Sequence, residues 1–344
     1  MRALALMTAL AALAAPATAA LAQDCASAPE PVLSLSQGSR YAEGDATRSE
    51  IDADADAAAN EALRPVDDFL RDLTERANGV FAEGADRAAI ADCVTAQVAA
   101  WAGAGALTDL ASETANLTVG SRLAGFALVL TQVLPHATDA ADADADAAKA
   151  WLAGLVHGQM RFWEEEAPNG AGRGNLRAWA ALGAAATAGL VDDPLMRAWA
   201  AWSVGHVLCG ADPDGSLPQE MSRGNRALHY QLHAIAPLVV ATLILDRQGI
   251  ALGASCDGAL DRVVAFAVDD LATGEATRAI TGEVQSFFDG TDVIEGFHLA
   301  WIEAYLILGD PPDRDTLEAL VEAYGPLGYS KLGGDQTAIW DGLR

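Results

Sequence analysis

The chain has 344 residues and carries 48 acidic against 21 basic side chains, a formal charge of −27. That balance excludes nucleic acid as a partner, because phosphate binding needs a basic footprint. An anionic polymer held in a locally basic cleft stays open, since the side chains lining a cleft set the field inside it.

In chain order, residues 1–22 read as an export leader. Arg2 supplies a positive start, Ala3 to Leu13 an apolar run, and Ala20-Leu21-Ala22 a small-residue cleavage site before Gln23. Cleavage would take the charge from −27 to about −28. The expectation is a periplasmic monomer with one domain over residues 23–344. Cys25, Cys93, Cys209 and Cys256 suit an oxidising compartment, and their spacing leaves all three pairings open. No CxxC or His/Cys spacing suggests zinc, so neither metal nor cofactor is expected.

Residues 39–61 are polar and contain Gly44. Their Asp52-x-Asp54-x-Asp56 run lacks the glycine and glutamate of a calcium loop, with Ala57 and Leu63 at those positions. This run and Asp139 to Asp146 read as solvated loops or helix ends.

Helical apolar spacing then predicts helices over 63–78, 88–102, 117–134, 147–165, 176–188, 194–207, 226–245, 258–271, 293–308 and 315–324. Gly/Asp/Pro clusters such as Asp192-Asp193-Pro194 punctuate them. No stretch after the leader reaches the roughly 18 unbroken apolar residues of a spanning helix, so no membrane insertion is expected. Stacked helical hairpins without a short repeat predict an all-α domain, and an (α/α) toroid is its natural closed form.

The segment from Asp214 to Val240 places Arg223, Arg226, His229 and Tyr230 at the start of an apolar helix. A guanidinium beside a phenol suits eliminative cleavage of a uronic-acid polymer. The carboxylate must be neutralised so that the C5 proton becomes removable. A base then takes that proton and an acid protonates the leaving oxygen at C4. One tyrosine can do both on the same sugar face if nearby positive charge lowers its pKa.

The run Arg223-Gly224-Asn225-Arg226-Ala227-Leu228-His229-Tyr230 resembles the alginate lyase family. The resemblance implies Tyr230 as catalytic acid/base, Arg223 as the carboxylate contact, and Arg226 and His229 as further substrate-binding residues. Gly174-Asn175-Leu176-Arg177-Ala178-Trp179 resembles a second family motif, with Asn175 on the carboxylate-holding asparagine and Trp179 on its tryptophan. Leu176 stands where that motif has histidine, and Ala178 where it has tyrosine. Arg177 is carried as a substrate contact, although neighbouring helix positions point about 100° apart. Ser39-Arg40-Tyr41, with Gly44 and Arg48, resembles the family's lid, so residues 39–61 are a candidate lid with Arg40 and Tyr41 reaching the chain.

Leu299-Ala300-Trp301-Ile302-Glu303-Ala304-Tyr305 resembles the closing helix, where Trp301 reads as a core residue. Trp163, Trp179 and Trp202 are each open to a stacking or a core role. The resemblance also implies the (α/α) toroid and a Cys25–Cys93 disulfide, which leaves Cys209–Cys256.

Leucine cannot serve as base on the opposite face. The expected activity is therefore syn β-elimination on a β-1,4-linked polyuronate of mannuronan or alginate type, with glucuronan as the alternative polymer. Two other classes remain: a glycoside hydrolase using Asp214, Glu220 or Glu303, and a non-catalytic polyuronate-binding or export-accessory protein.

Overall fold

The computed structural model describes residues 25–309, 311 and 313–341; the expected leader lies outside them. The helices are α1 (Ala53–Asn78), α2 (Arg87–Ala104), α3 (Glu113–Thr118), α4 (Gly120–Val133) and α5 (Asp142–Glu165). They continue as α6 (Asn175–Val191), α7 (Pro194–Leu208), α8 (Pro218–Met221), α9 (Ala227–Arg247) and α10 (Ser255–Asp270). The C-terminal part holds α11 (Glu275–Thr281), α12 (Ser286–Asp289), α13 (Ile302–Leu308), α14 (Arg314–Tyr324) and α15 (Gln336–Trp340).

Two acidic runs find their place at helix starts. The Asp52 side chain caps α1 by accepting from the Ala55 N–H, with Asp54 and Asp56 in its first turn. Asp142 and Asp144 occupy the first turn of α5. Carboxylates there meet unpaired N–H groups and the positive end of the helix dipole. Within the candidate lid segment 39–61, residues 53–61 belong to α1. The segment expected as one helix over 293–308 is also divided. A 3-10 turn over Gly296–Leu299, capped by Glu295 and His298, precedes α13.

The helices form two layers. α1, α4, α6, α9 and α13 follow one another as an inner series, each touching the next. α2, α5, α7 and α10 form an outer series, and α14 packs on α13. This is the (α/α) toroid, with α4, α6 and α9 buried on nearly all sides. Two stretches, Glu113–His136 and Gly224–Arg247, are long and apolar enough to cross a membrane, and most of each is buried inside the fold.

Small residues let the inner helices approach closely. A Cβ at Gly120 would lie 2.9 Å from the backbone of Ala180 on α6. Nearer the N-terminus, Phe69, Trp101, Phe126 and Trp151 form an aromatic cluster, with the first two centroids 4.4 Å apart. Disulfides join Cys25 to Cys93 and Cys209 to Cys256.

The gap between α13 and α1 is filled by a C-terminal hairpin, whose strands β1 (Gly328–Tyr329) and β2 (Gly334–Asp335) pair antiparallel. Asn78 anchors it by donating to the Gly333 carbonyl at 3.0 Å and accepting from the Asp335 N–H at 2.7 Å. The hairpin carries Lys331 into the ring, against α1, α4 and α9.

Replacing Gly120 with alanine forces a methyl group against backbone that cannot rotate away. The expected loss is about 1–3 kcal/mol, from overpacking. A fall in the urea unfolding midpoint at unchanged slope checks it.

Candidate active site

Asn175 is the first residue of α6, and the residue before it is Gly174, which has no side chain to cap the helix. Glu220 of α8 supplies the cap from a distant part of the chain. Its carboxylate accepts the Asn175 backbone N–H at 2.7 Å and the Asn175 side-chain Nδ2 at 2.9 Å. A Cβ at position 174 would collide with Glu220 Oε1, so glycine is what lets the carboxylate in. Glu220 is fully buried. Burial pushes its carboxyl pKa up, opposed by the nearby Arg223 guanidinium and the two bonds from Asn175. Asn175 Oδ1 is buried and unpartnered, and the residue lines a cavity.

Arg223 and Tyr230 meet through a sharp change of direction. Gly224 has φ +56°, a 3-10 turn follows over 224–226, and α9 then begins. Glu283 secures that turn by accepting the Asn225 N–H at 3.0 Å. The Arg223 guanidinium carbon thus sits 4.4 Å from the centroid of the Tyr230 ring and 5.9 Å from that of Tyr41. Such stacking of guanidinium on a phenol is attractive and holds the cation in place.

These groups open onto a cavity of about 350 Å³. Arg40, Tyr41, Asn175, Leu176, Trp179, Arg223, His229 and Tyr230 all line it, as do His233 and Lys331. A second, wider space of about 970 Å³ shares Arg48, Leu117, Leu176 and Arg223 with the first, so the two form one groove. Among the described residues no aspartate or glutamate lines either part, although the chain has 48 of them. Arginines 40, 48, 122 and 223 and Lys331 line the inner cavity instead. Burial, together with neighbouring Arg122, pushes the Lys331 ammonium down to about 8. Arg40 is shared with Asp56 at 3.2 Å, and Arg122 with Asp67 at 2.7 Å.

The candidate lid lies over this groove. Tyr41 and Ile51 are bridged, and the loop between them is tied down through its backbone. Arg223 donates to the Arg48 carbonyl at 3.4 Å and Arg226 to the Ser49 carbonyl at 3.2 Å. Burial pushes the Tyr41 phenol up, against the lowering effect of Arg223 and Arg40.

Other expected contacts turn elsewhere. Arg226 also lies 3.7 Å from Asp292, and it lines neither part of the groove. His229 lines the inner cavity, but its Nδ1 pairs with Asp292 Oδ2 at 2.9 Å. Arg177 is buried behind the wall, where it binds Glu164 and donates from Nε to Ser203 Oγ at 3.1 Å. Trp179 is a core residue with one working edge: its Nε1–H donates to His233 Nε2 at 3.0 Å.

His233 and Lys331 escaped the sequence reading. His233 had a usable signal, since it lies three residues beyond Tyr230 and so shares its helix face. Lys331 had none, because only the inserted hairpin brings it there. Burial holds the His233 pKa well below the usual histidine range, so the ring is neutral. The carboxyl groups proposed for a hydrolase are not paired across the groove. Glu220 is locked on Asn175, and buried Glu303 accepts from Thr337 Oγ1 at 2.9 Å.

A two-layered ring of helices around an acid-free, cation-lined groove is the architecture of an (α/α)-toroid polysaccharide lyase. The family model described as alginate lyase matches residues 15–277, and the chain belongs to that family. A polysaccharide lyase of Stenotrophomonas maltophilia strain K279a is 28% identical over 304 residues, covering 86% of this chain and 85% of the relative. An alginate lyase of Pseudomonas putida strain KT2440 is 28% identical over 329 residues, covering 92% and 84%. Among solved structures, a tyrosine-to-phenylalanine variant of alginate lyase A1-III complexed with tetrasaccharide superposes with a TM-score of 0.74. It is 20% identical, with 92% of this chain and 85% of that one covered. The same enzyme from Sphingomonas species A1 gives 0.70 at 19% identity, covering 90% and 85%.

Glu220→Gln keeps the shape of the clamp but turns one acceptor into a donor facing a donor. A buried donor left unpaired costs about 1–3 kcal/mol. The variant should unfold at lower urea concentration by a corresponding amount, and an unchanged midpoint would show that the clamp is not what holds α6 to α8.

Proposed function

We propose that this lyase cleaves a β-1,4-linked polyuronate of the mannuronan or alginate type by syn β-elimination. Tyr230 takes the C5 proton as phenolate and returns a proton to the C4 oxygen as phenol. The bond from C4 to the glycosidic oxygen breaks as the C4–C5 double bond forms. Arg223 and Asn175 hold the substrate carboxylate and stabilise the enolate-like charge that builds up on it. The observation that carries this reading is the acid-free groove, in which a guanidinium is stacked on the one tyrosine at the start of α9.

Asn175 suits its part because Glu220 uses only one hydrogen of its amide. The second remains for a carboxylate, provided the amide is oriented as these bonds require. The imidazoles of the inner cavity favour same-face chemistry. His233 is neutral with Nε2 accepting from Trp179, so its other nitrogen carries the proton. His229 is engaged by Asp292. Neither offers a free base to replace the missing histidine at Leu176. Relatives named alginate lyase in Pseudomonas support the choice of polymer. Export to the periplasm, through the leader at residues 1–22, would place the enzyme where such polymers pass.

Tyr230→Phe removes the proton carrier but keeps the ring under Arg223. Product formation, followed as ultraviolet absorbance of unsaturated ends on mannuronan, should fall by at least about a hundredfold, the usual worth of general acid–base catalysis. Full activity in this variant sinks the assignment. Lys331 generates a second expectation. It is charged below its pKa of about 8 and neutral above it. A polyanion therefore loses one attractive charge as pH rises through that value, and KM should climb there. In Lys331→Gln the climb should flatten; a wild-type-like rise would remove Lys331 from substrate binding.

A further inference from the structure

The wide arm of the groove has an aromatic wall that the proposed chemistry does not use. Seven of the eight tryptophans are buried, whereas Trp202 on α7 is 51% exposed, and it lines this arm. An indole left half in water forgoes burial energy, which marks such a ring as a candidate contact. Trp202 is also held rigidly. His206, one helical turn on, stacks with it at 5.1 Å and 13° between planes. The Arg177 guanidinium lies 4.4 Å from its ring centroid, itself fixed by Glu164 and Ser203. Arg177 thus acts from behind the wall. Burial, with Arg177 and Arg173 nearby, keeps the His206 pKa below the usual value.

Arg173 lines the same arm and is exposed, and no ion pair engages it among the described residues. The lid residues Ala46, Thr47 and Arg48 line the arm as well, and Arg48, Leu176 and Arg223 are common to it and the reaction cavity. A chain entering one part must therefore pass directly into the other.

We propose that this arm is a second binding region for the polyuronate. A sugar ring beyond the cleaved linkage packs its apolar face on the Trp202–His206 wall, and Arg173 takes its carboxylate. The inference rests on the lyase reading above and extends it to the length of substrate held. A ring on a rigid aromatic surface gains contact area with little ordering cost, and a free guanidinium adds a charge-assisted bond. Long chains are then favoured over short ones.

The test compares kcat/KM on the polyuronate the wild-type protein cleaves, as polymer and as its shortest cleavable oligomer. Trp202→Ala should lower the polymer-to-oligomer ratio by roughly tenfold, the scale of an anchoring tryptophan, and Arg173→Gln should lower it in the same direction. Trp202→Phe should recover part of the loss. An unchanged ratio in Trp202→Ala, with thermal unfolding as in the wild type, overturns the proposal. Fluorescence titration with mannuronan separates the two readings. Binding weakened roughly tenfold in Trp202→Ala supports the region even if no polymer is cleaved, which would refute the chemistry alone. Equal binding by wild type and variant overturns the region.

Discussion

The site depends on one buried carboxylate placed at the start of one helix. Glu220 caps α6 where Gly174 cannot, and in doing so it fixes Asn175 and couples α6 to the turn that carries Arg223. The arrangement is favourable for several reasons together. The helix dipole and two hydrogen bonds favour the charged form of the carboxyl group, and a guanidinium lies nearby. Without them, a carboxyl group with no exposure would be costly. The same bonds fix Asn175 in the cavity wall, so folding energy and site geometry come from one contact.

Charge is segregated by the same logic. The chain is strongly acidic, yet among the described residues its groove is walled by arginine, lysine, histidine, asparagine and aromatic residues without a carboxylate. Acidic side chains occupy helix starts, as in α1 and α5, or pair with arginines at the cavity edge, as Asp56 and Asp67 do. A low-dielectric cleft lined by one sign of charge concentrates its field there, so net charge and local attraction can have opposite signs.

The residues of the matched motifs are divided between the cavity wall and the packing around it. Arg40 and Tyr41 do border the cavity. Arg226 anchors the loop that precedes α1, since it holds the Ser49 carbonyl and neighbours Asp292. Arg177 supports Trp202 from the protein side. In both cases a cation within the motif run is turned away from the groove by its local backbone, which a one-dimensional pattern does not reveal.

Apolar periodicity and glycine-rich breaks located the long helices, because a helix buries a face whose spacing is local, but not the start of α1 at Ala53, the break before α13 or the short α8, α11, α12 and α15. The pairing of Arg223 with Tyr230 was equally local, since a single turn at Gly224 separates them. Longer-range relations were not legible. Lys331 enters through a hairpin that closes the ring, Glu220 caps a helix begun far earlier in the chain, and Trp202 stays exposed while its seven counterparts are buried. Local order therefore came from the residue pattern alone. Which charges face the groove was decided by packing, because only a closed ring brings distant segments onto one wall.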